Sequence, residues 1–129
     1  MKYYINTLVK GQSYQSVREK LLVEMKKEGF GVLTEADIQK AFKEKLDFDY
    51  QKYEILGACN PGYAKQALEI EDKLGVYLPC NFIIQEIEEN IIEVAAVNPI
   101  VMMSTVNSEA LKPIATDIYD KMKRIIDNL

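Results

Sequence analysis

The twenty residues from Leu78 to Val97, LPCNFIIQEIEENIIEVAAV, restrict the possible folds more than any other segment. β-Branched residues dominate two runs of strand length, and the polar cluster Glu88-Glu89-Asn90 between them has the composition of a turn. Two strands joined by so short a turn must pair antiparallel, because a parallel pair needs a crossover of a dozen or more residues. The segment therefore predicts a β-hairpin in a mainly antiparallel sheet.

Both faces of this hairpin are apolar. Ile92, Val94 and Ala96 alternate onto one face, as residues that face a core do. The other face carries only two polar residues, Gln85 and Glu93. Its apolar members are Ile83, Ile87, Ile91, Ala95 and Val97. An open antiparallel sheet backed by helices should be polar on its free side. We therefore expect a cover over this face. A second copy of the chain is the simplest one, and a loop or the short second helix is the alternative.

The first half of the chain alternates strand and helix patterns. Its predicted elements are a strand over 2–9, a helix capped by Ser13 and ended by Gly29, a strand near 30–34, a second helix to about Lys45 and a strand over 49–58. Thr34 or Asp37 can cap the second helix. Its apolar residues are expected to be buried, namely Ile38, Ala41 and Phe42, with Leu46 as a further candidate.

The second half adds two helices and the hairpin. Asn60-Pro61 is a strong helix start, since asparagine caps well and proline suits the first helical position. We expect this helix to stop at Gly75 and to carry an apolar stripe of Tyr63, Ala64, Ala67, Leu68 and Leu74. Residues 98–107 are predicted as a loop and 108–128 as the last helix. Pro113 lies inside that helix, which must kink or restart there. Its apolar stripe is Leu111, Ile114, Ala115, Ile118, Met122, Ile125 and Ile126.

The order of elements is β-α-β-α-β-α-β-β-α, which predicts an α+β fold with a mainly antiparallel sheet backed by helices. The chain has 129 residues, 48% of them hydrophobic. That length and composition fit a single domain over residues 1–129 with one core.

The charge balance argues against two classes of partner. Twenty acidic and sixteen basic residues give a net charge of −4, and no basic face emerges from the pattern. A protein that binds a phosphate backbone normally presents one, so we expect no nucleic-acid partner. The apolar runs are far shorter than a membrane span, and the N-terminal segment lacks the cleavage site of a secretory signal. We expect no membrane association and a cytoplasmic location.

The chain contains no histidine. This excludes Ser-His-Asp and Cys-His catalytic pairs and any histidine-ligated metal. Two cysteines alone would need carboxylates or a second subunit to complete a metal site, so no metal is expected. Any general base must be a carboxylate, lysine, tyrosine or thiolate. The sequence identifies no cofactor and does not decide whether a reaction is catalysed.

Two Cys-Asn pairs, Cys59-Asn60 and Cys80-Asn81, are the candidate site. Cys59 immediately precedes a helix start, where the helix dipole lowers a thiol pKa. If the strands that carry the pairs are antiparallel neighbours, the pairs meet at one edge of the sheet. If the strands are parallel, the pairs lie at opposite ends.

Several interpretations of the pairs stay open. The cysteines behave as small buried hydrophobes, or Cys59 is a reactive thiol and the candidate catalytic residue, or the pairs line a pocket for a small ligand. In the last case the ligand-binding residues are Cys59, Asn60, Cys80 and Asn81. Asn60 is in addition expected to cap its helix.

Four segments together are similar to the family known as domain of unknown function 302: EGFGVLTEADI, ILGACNPGYAKQAL, LPCNFII and VAAVNP. The residues that match its motifs are Gly57, Cys59, Asn60 and Pro61, then Leu78, Pro79, Cys80 and Asn81, and last Asn98-Pro99 with Met102. The resemblance implies a TATA-binding-protein-like α+β fold and a tendency to dimerise. It implies no particular activity, and the acidic charge speaks against carrying over DNA binding.

The function predicted from the sequence is the binding or sensing of a small molecule at a Cys59/Cys80 pocket of a cytoplasmic homodimer. A thiol-dependent redox protein and a non-catalytic dimeric interaction module are the alternatives.

Overall fold

The computed structural model describes residues 1–129, and its five strands pair into one sheet. The strands are β1 (Tyr4–Lys10), β2 (Gly31–Asp37), β3 (Tyr53–Cys59), β4 (Cys80–Glu88) and β5 (Ile91–Val97). Their order across the sheet is β1-β5-β4-β3-β2, and every neighbouring pair is antiparallel. The predicted hairpin is thus β4–β5, with β4 at the centre of the sheet.

The helices are α1 (Tyr14–Lys27), α2 (Ile38–Leu46), α3 (Pro61–Ile70), α4 (Pro99–Ser104) and α5 (Lys112–Asp127). The predicted α+β class and the predicted order of strands and helices are confirmed, with α4 as a short addition. None of these helices is both long and apolar enough to cross a membrane.

Three predicted helix ends are confirmed by their hydrogen bonds and backbone angles. The Ser13 side chain accepts from the Ser16 N–H at 3.1 Å and begins α1. Gly29 follows α1 with a φ of +85°, the left-handed conformation that glycine adopts without strain. Asp37, one of the two candidates, caps α2 by accepting from the Lys40 N–H at 3.0 Å.

The core lies between the sheet and the pair α1 and α5. Ile92, Val94 and Ala96 face it from β5, as predicted, and every residue of the predicted α5 stripe is buried. The last helix restarts at its proline: a 3₁₀ turn over Glu109–Leu111 leads into α5, and Pro113 lies in its first turn, where no N–H is needed. We call this side of the sheet the core face and the opposite side the outer face.

The loop predicted over 98–107 is wrong, because Pro99–Ser104 is helical. The Asn98 side-chain oxygen accepts from the Ile100 and Val101 N–H groups at 3.0 and 3.4 Å, while its amide donates to the Lys2 carbonyl at 3.1 Å. Asn98 is buried and both polar atoms of its side chain are hydrogen-bonded, so it fixes both this helix and the entry to β1.

The burial predicted for α2 is only partial. Ile38, Ala41 and Phe42 are half-buried and Leu46 is exposed, because α2 follows the edge strand β2, most of which is exposed. Phe42 packs instead on Phe48 and Tyr50 of the next loop, with ring centroids 6.4 and 5.1 Å away.

Helix α3 differs from the prediction in its length and its burial. It ends at Ile70 rather than Gly75, since Glu71 is extended and its side chain accepts from the Lys73 N–H, which starts a 3₁₀ turn over Asp72–Val76. Of the predicted α3 stripe, only Ala67 and Leu74 are buried. Leu74 lies in the 3₁₀ turn and not in α3 itself. Helix α3 is therefore a lightly packed element.

Candidate functional site

The structure brings the two cysteines to the same end of neighbouring strands. Cys59 is the last residue of β3, Cys80 is the first of β4, and Ala58 pairs directly with Cys80. This confirms the antiparallel placement, and both thiols are free. Successive side chains on a strand point to opposite faces. Ala58 and Cys80 are buried in the core, so the alternation places Cys59 on the outer face.

Cys80 has the environment of a core residue. It is 5% exposed and belongs to the hydrophobic core. Burial, and secondly the charge on Cys59, raises the pKa of the Cys80 thiol to about 11. The thiolate is the nucleophilic form of cysteine, so at neutral pH Cys80 is an unreactive thiol.

Asn60 stands at the N-cap position of α3, as predicted, yet its side chain does not cap the helix. Its amide donates instead to the Glu28 carbonyl at 3.1 Å. Gly29 leaves room for this amide, since a Cβ atom there would lie only 3.1 Å from the Asn60 amide nitrogen. The Glu28 carboxylate in turn binds Arg124 at 2.9 Å. Asn60 thus ties the end of α1 to the start of α3.

Asn81 points to the outer face, directly opposite Gly57. A Cβ atom on Gly57 would lie 2.1 Å from Thr34 Oγ1 and 2.6 Å from Pro79 Cγ. Only glycine leaves room for these two neighbours, so packing alone accounts for the glycine at position 57 of the motif. Asn81 itself is exposed and borders a cavity.

This outer-face cavity has a volume of about 420 Å³. It is lined by Tyr3, Tyr4, Tyr53, Asn81, Ile83, Glu93, Ala95, Ala96 and Val97. Of the four predicted ligand-binding residues, only Asn81 is among them. The tyrosines and Glu93 did not figure among the site residues predicted from the sequence. The signal that points to them is the predicted apolar second face, interrupted by Gln85 and Glu93.

Glu93 is the one charged residue in the cavity wall. Its carboxylate accepts from the Asn6 amide at 2.8 Å and from the Gln85 amide at 2.7 Å, and the Gln51 amide donates to Gln85 at 2.5 Å. We call Asn6, Glu93, Gln85 and Gln51 the polar ladder, because they cross the outer face from β1 toward β3. Burial, then Tyr50 and then Glu93 raise the pKa of Tyr53.

The ladder leaves the charge of Glu93 uncompensated. No lysine or arginine forms an ion pair with it, whereas the half-buried Glu54 and Glu28 pair with Arg18 and Arg124. The cavity therefore combines an apolar floor, tyrosine rings and a single unpaired carboxylate.

A second polar cluster connects α1 to the sheet. The Tyr14 hydroxyl donates to Glu54 at 2.8 Å, and Arg18 binds Glu54 at 3.2 Å and Glu35 at 2.9 Å. Burial, and secondly the hydrogen bond to Glu54, raises the pKa of Tyr14 well above its usual range. No buried polar side-chain atom of the protein lacks a partner. This cluster is satisfied internally and acts as a clamp between α1 and β3.

The side chains form no group of three or more carboxylates or thiols that could hold a metal ion.

Comparison with known proteins agrees with the fold. A family model described as Domain of unknown function DUF302 matches residues 5–129. A solved structure described as the crystal structure of uncharacterized conserved protein DUF302 from Bacillus stearothermophilus is 27% identical to this chain. The match covers 98% of each chain with a TM-score of 0.89, so the two share the whole fold. No curated protein matches the chain significantly.

Proposed function

The chain belongs to the family described as domain of unknown function DUF302, and from this premise we propose that it binds a small molecule in the outer-face cavity. The observation that carries the proposal is the cavity itself: a concave, mainly apolar site with a few convergent polar groups is the usual form of a small-molecule site. Its volume of about 420 Å³ falls within the usual range of ligand pockets.

The proposal revises the predicted roles of the two Cys-Asn pairs. Asn81 contacts the ligand, because it lines the cavity and offers both a donor and an acceptor. Cys59 lies on the same outer face but outside the cavity wall, so it contacts the ligand only if the ligand extends past Gly57. Cys80 and Asn60 support the site by packing and by the bond to Glu28, without facing the ligand.

A screen of small aromatic and aliphatic compounds by nuclear magnetic resonance tests the proposal. We expect binders to shift the backbone signals of Asn81, Ile83 and Glu93. Ala95→Phe fills the cavity and should abolish these shifts. Leu8→Phe is the matched control, since Leu8 is exposed on the same face but outside the cavity wall. Binders that map to another surface, or that bind Ala95→Phe unchanged, would contradict the proposal.

A dimeric interaction module is the second candidate, and one observation favours it. Apolar side chains remain exposed outside the cavity, notably Leu8 and Ile87 at 48% and 45%. We propose that a second copy of the chain covers them, since an extended apolar surface marks an interaction site. Small-molecule binding and dimerisation are compatible, because a second copy of the chain on this face would also cover the cavity.

The thiol-redox alternative has the least support. Cys80 is buried and protonated at neutral pH, and the alternation along β3 and β4 sends the two side chains to opposite faces. A cytoplasmic location is part of the proposal, and the two free cysteines support it, because disulfides belong to oxidising compartments.

A further inference from the structure

The electrostatics of the outer-face cavity select among ligands, and this inference rests on the function proposed above. Glu93 is the only charged residue of the nine that line the cavity. It is half-buried, and no basic side chain neutralises it. A carboxylate group has about four acceptor sites, and the amides of Asn6 and Gln85 use two of them. Glu93 therefore retains both its charge and acceptor capacity for a ligand.

The aromatic wall favours the same sign of charge. Tyr3, Tyr4 and Tyr53 line the cavity, and the faces of such rings attract cations. Tyr4 already shows this behaviour, since Lys2 Nζ lies 5.4 Å from its ring centroid. Lys2 lines a neighbouring cavity that shares Tyr4 with this one, and Lys2 is not among the residues that line the outer-face cavity.

The remaining wall determines the body of the ligand. Ile83, Ala95 and Val97 offer only apolar surface, which suits a hydrocarbon or aromatic group. An anionic ligand would meet the Glu93 carboxylate with no cation in the wall to offset the repulsion. A hydrogen-bonding cation, in contrast, would convert an unpaired carboxylate into a charge-assisted pair.

We propose that the outer-face cavity is a site for a small organic cation, a protonated amine on an aromatic or aliphatic body. The ammonium group donates to Glu93 and lies against the tyrosine rings, while the body packs on Ile83 and Ala95. Asn81, at the β3 side of the cavity, contacts the far end of the ligand.

Three probes of matched shape test the charge. They are 2-phenylethylamine, the neutral 2-phenylethanol and the anionic 3-phenylpropanoate, each titrated into the full chain and followed by nuclear magnetic resonance. We expect the amine to bind about tenfold or more tightly than the alcohol, as a charge-assisted hydrogen bond implies. The anion should bind most weakly. Equal binding of amine and alcohol by the wild-type chain would overturn the inference and needs no variant.

A pair of substitutions tests the residue. Glu93→Gln keeps the shape of the side chain and removes its charge, so amine affinity should fall about tenfold while alcohol affinity is unchanged. Glu86→Gln is the control, since Glu86 is also half-buried and lies outside the cavity wall. An equal loss in both variants would refute the role of Glu93. If only the inference is wrong, the alcohol and the amine bind at the cavity with equal affinity, and Ala95→Phe abolishes the binding of both. If the proposed function is wrong, Ala95→Phe changes the binding of no probe.

Discussion

Asn60 illustrates how one side chain at a helix start does something other than capping. Its amide holds the Glu28 carbonyl, where α1 ends, and the Glu28 carboxylate extends the link to Arg124 on α5. Three helices thus meet at one asparagine and one glutamate. The role depends on a donor, because a carbonyl oxygen accepts hydrogen bonds only.

Substitution of Asn60 separates the donor role from capping. Asn60→Ala should cost about 1 kcal/mol of unfolding free energy through loss of the Glu28 bond. Asn60→Asp should cost at least as much, since a carboxylate cannot donate to the Glu28 carbonyl and its oxygens are repelled by that carbonyl oxygen. Urea titration measures both. An aspartate variant as stable as the wild type would show that the side chain caps α3 after all.

Cys80 should make stability depend on pH above 9. Its pKa is raised from 9.0 to about 11 in the folded chain, so between these values the unfolded chain loses the proton and the folded chain keeps it. The unfolded state is then favoured as pH rises, and the loss of unfolding free energy is of the order of 2 kcal/mol by pH 11.

Comparison with Cys80→Ala isolates this effect, because tyrosines and lysines titrate in the same range in both proteins. We expect the difference in unfolding free energy between wild type and variant to shrink as pH rises from 9 to 11. A difference that stays constant with pH would mean that Cys80 titrates normally in the folded chain.

At the scale of the elements, helices and strands with a strong periodic pattern were predictable from the sequence. Elements whose form depends on their local surroundings were not. The stripe of α5 and the alternation of β5 come from many buried side chains acting together, and both are confirmed. Asn98-Pro99 carries the same start signal as Asn60-Pro61, yet the helix after it spans only six residues, too few to show a period. The sequence pattern of α2 is amphipathic, but the edge strand before it places the helix at the margin of the core, where its apolar side is only half-buried.

The candidate site was predictable only in outline, because it is formed by segments that are distant in the sequence. The sequence shows that Gln85 and Glu93 interrupt an apolar face, and the pairing of Gln85 with Glu93 follows from the hairpin. The contributions of Tyr3, Tyr4 and Tyr53 depend on the order β1-β5-β4-β3, which joins segments distant in sequence. The register of Asn6 against β5, and thus its bond to Glu93, likewise requires the sheet.

At the scale of the whole molecule, the outer face has apolar surface on both sides of the polar ladder. Ile83 lies on the cavity side, and Ile87 lies in a bulge near the turn, where the pairing with β5 passes from Glu86 to Glu88. The ladder is internally hydrogen-bonded, but the Glu93 carboxylate has no cation partner and is costly to bury without one. A second copy of the chain could therefore cover the apolar surface on both sides of the ladder, provided that Glu93 stays hydrated or pairs with the proposed cation.

The chain should accordingly be a dimer in solution, and the double substitution Ile83→Lys with Ile87→Lys should yield a folded monomer or a poorly soluble protein. Two lysines on the face would place like charges against each other across a symmetric interface, where each substitution appears twice. Light scattering after size-exclusion chromatography measures the mass, and circular dichroism verifies the fold. Val76→Lys is the control, because Val76 is an exposed apolar residue in the 3₁₀ turn after α3, away from the sheet. A monomeric wild type, or an unchanged dimer mass in the double variant, would rule out this face as the interface.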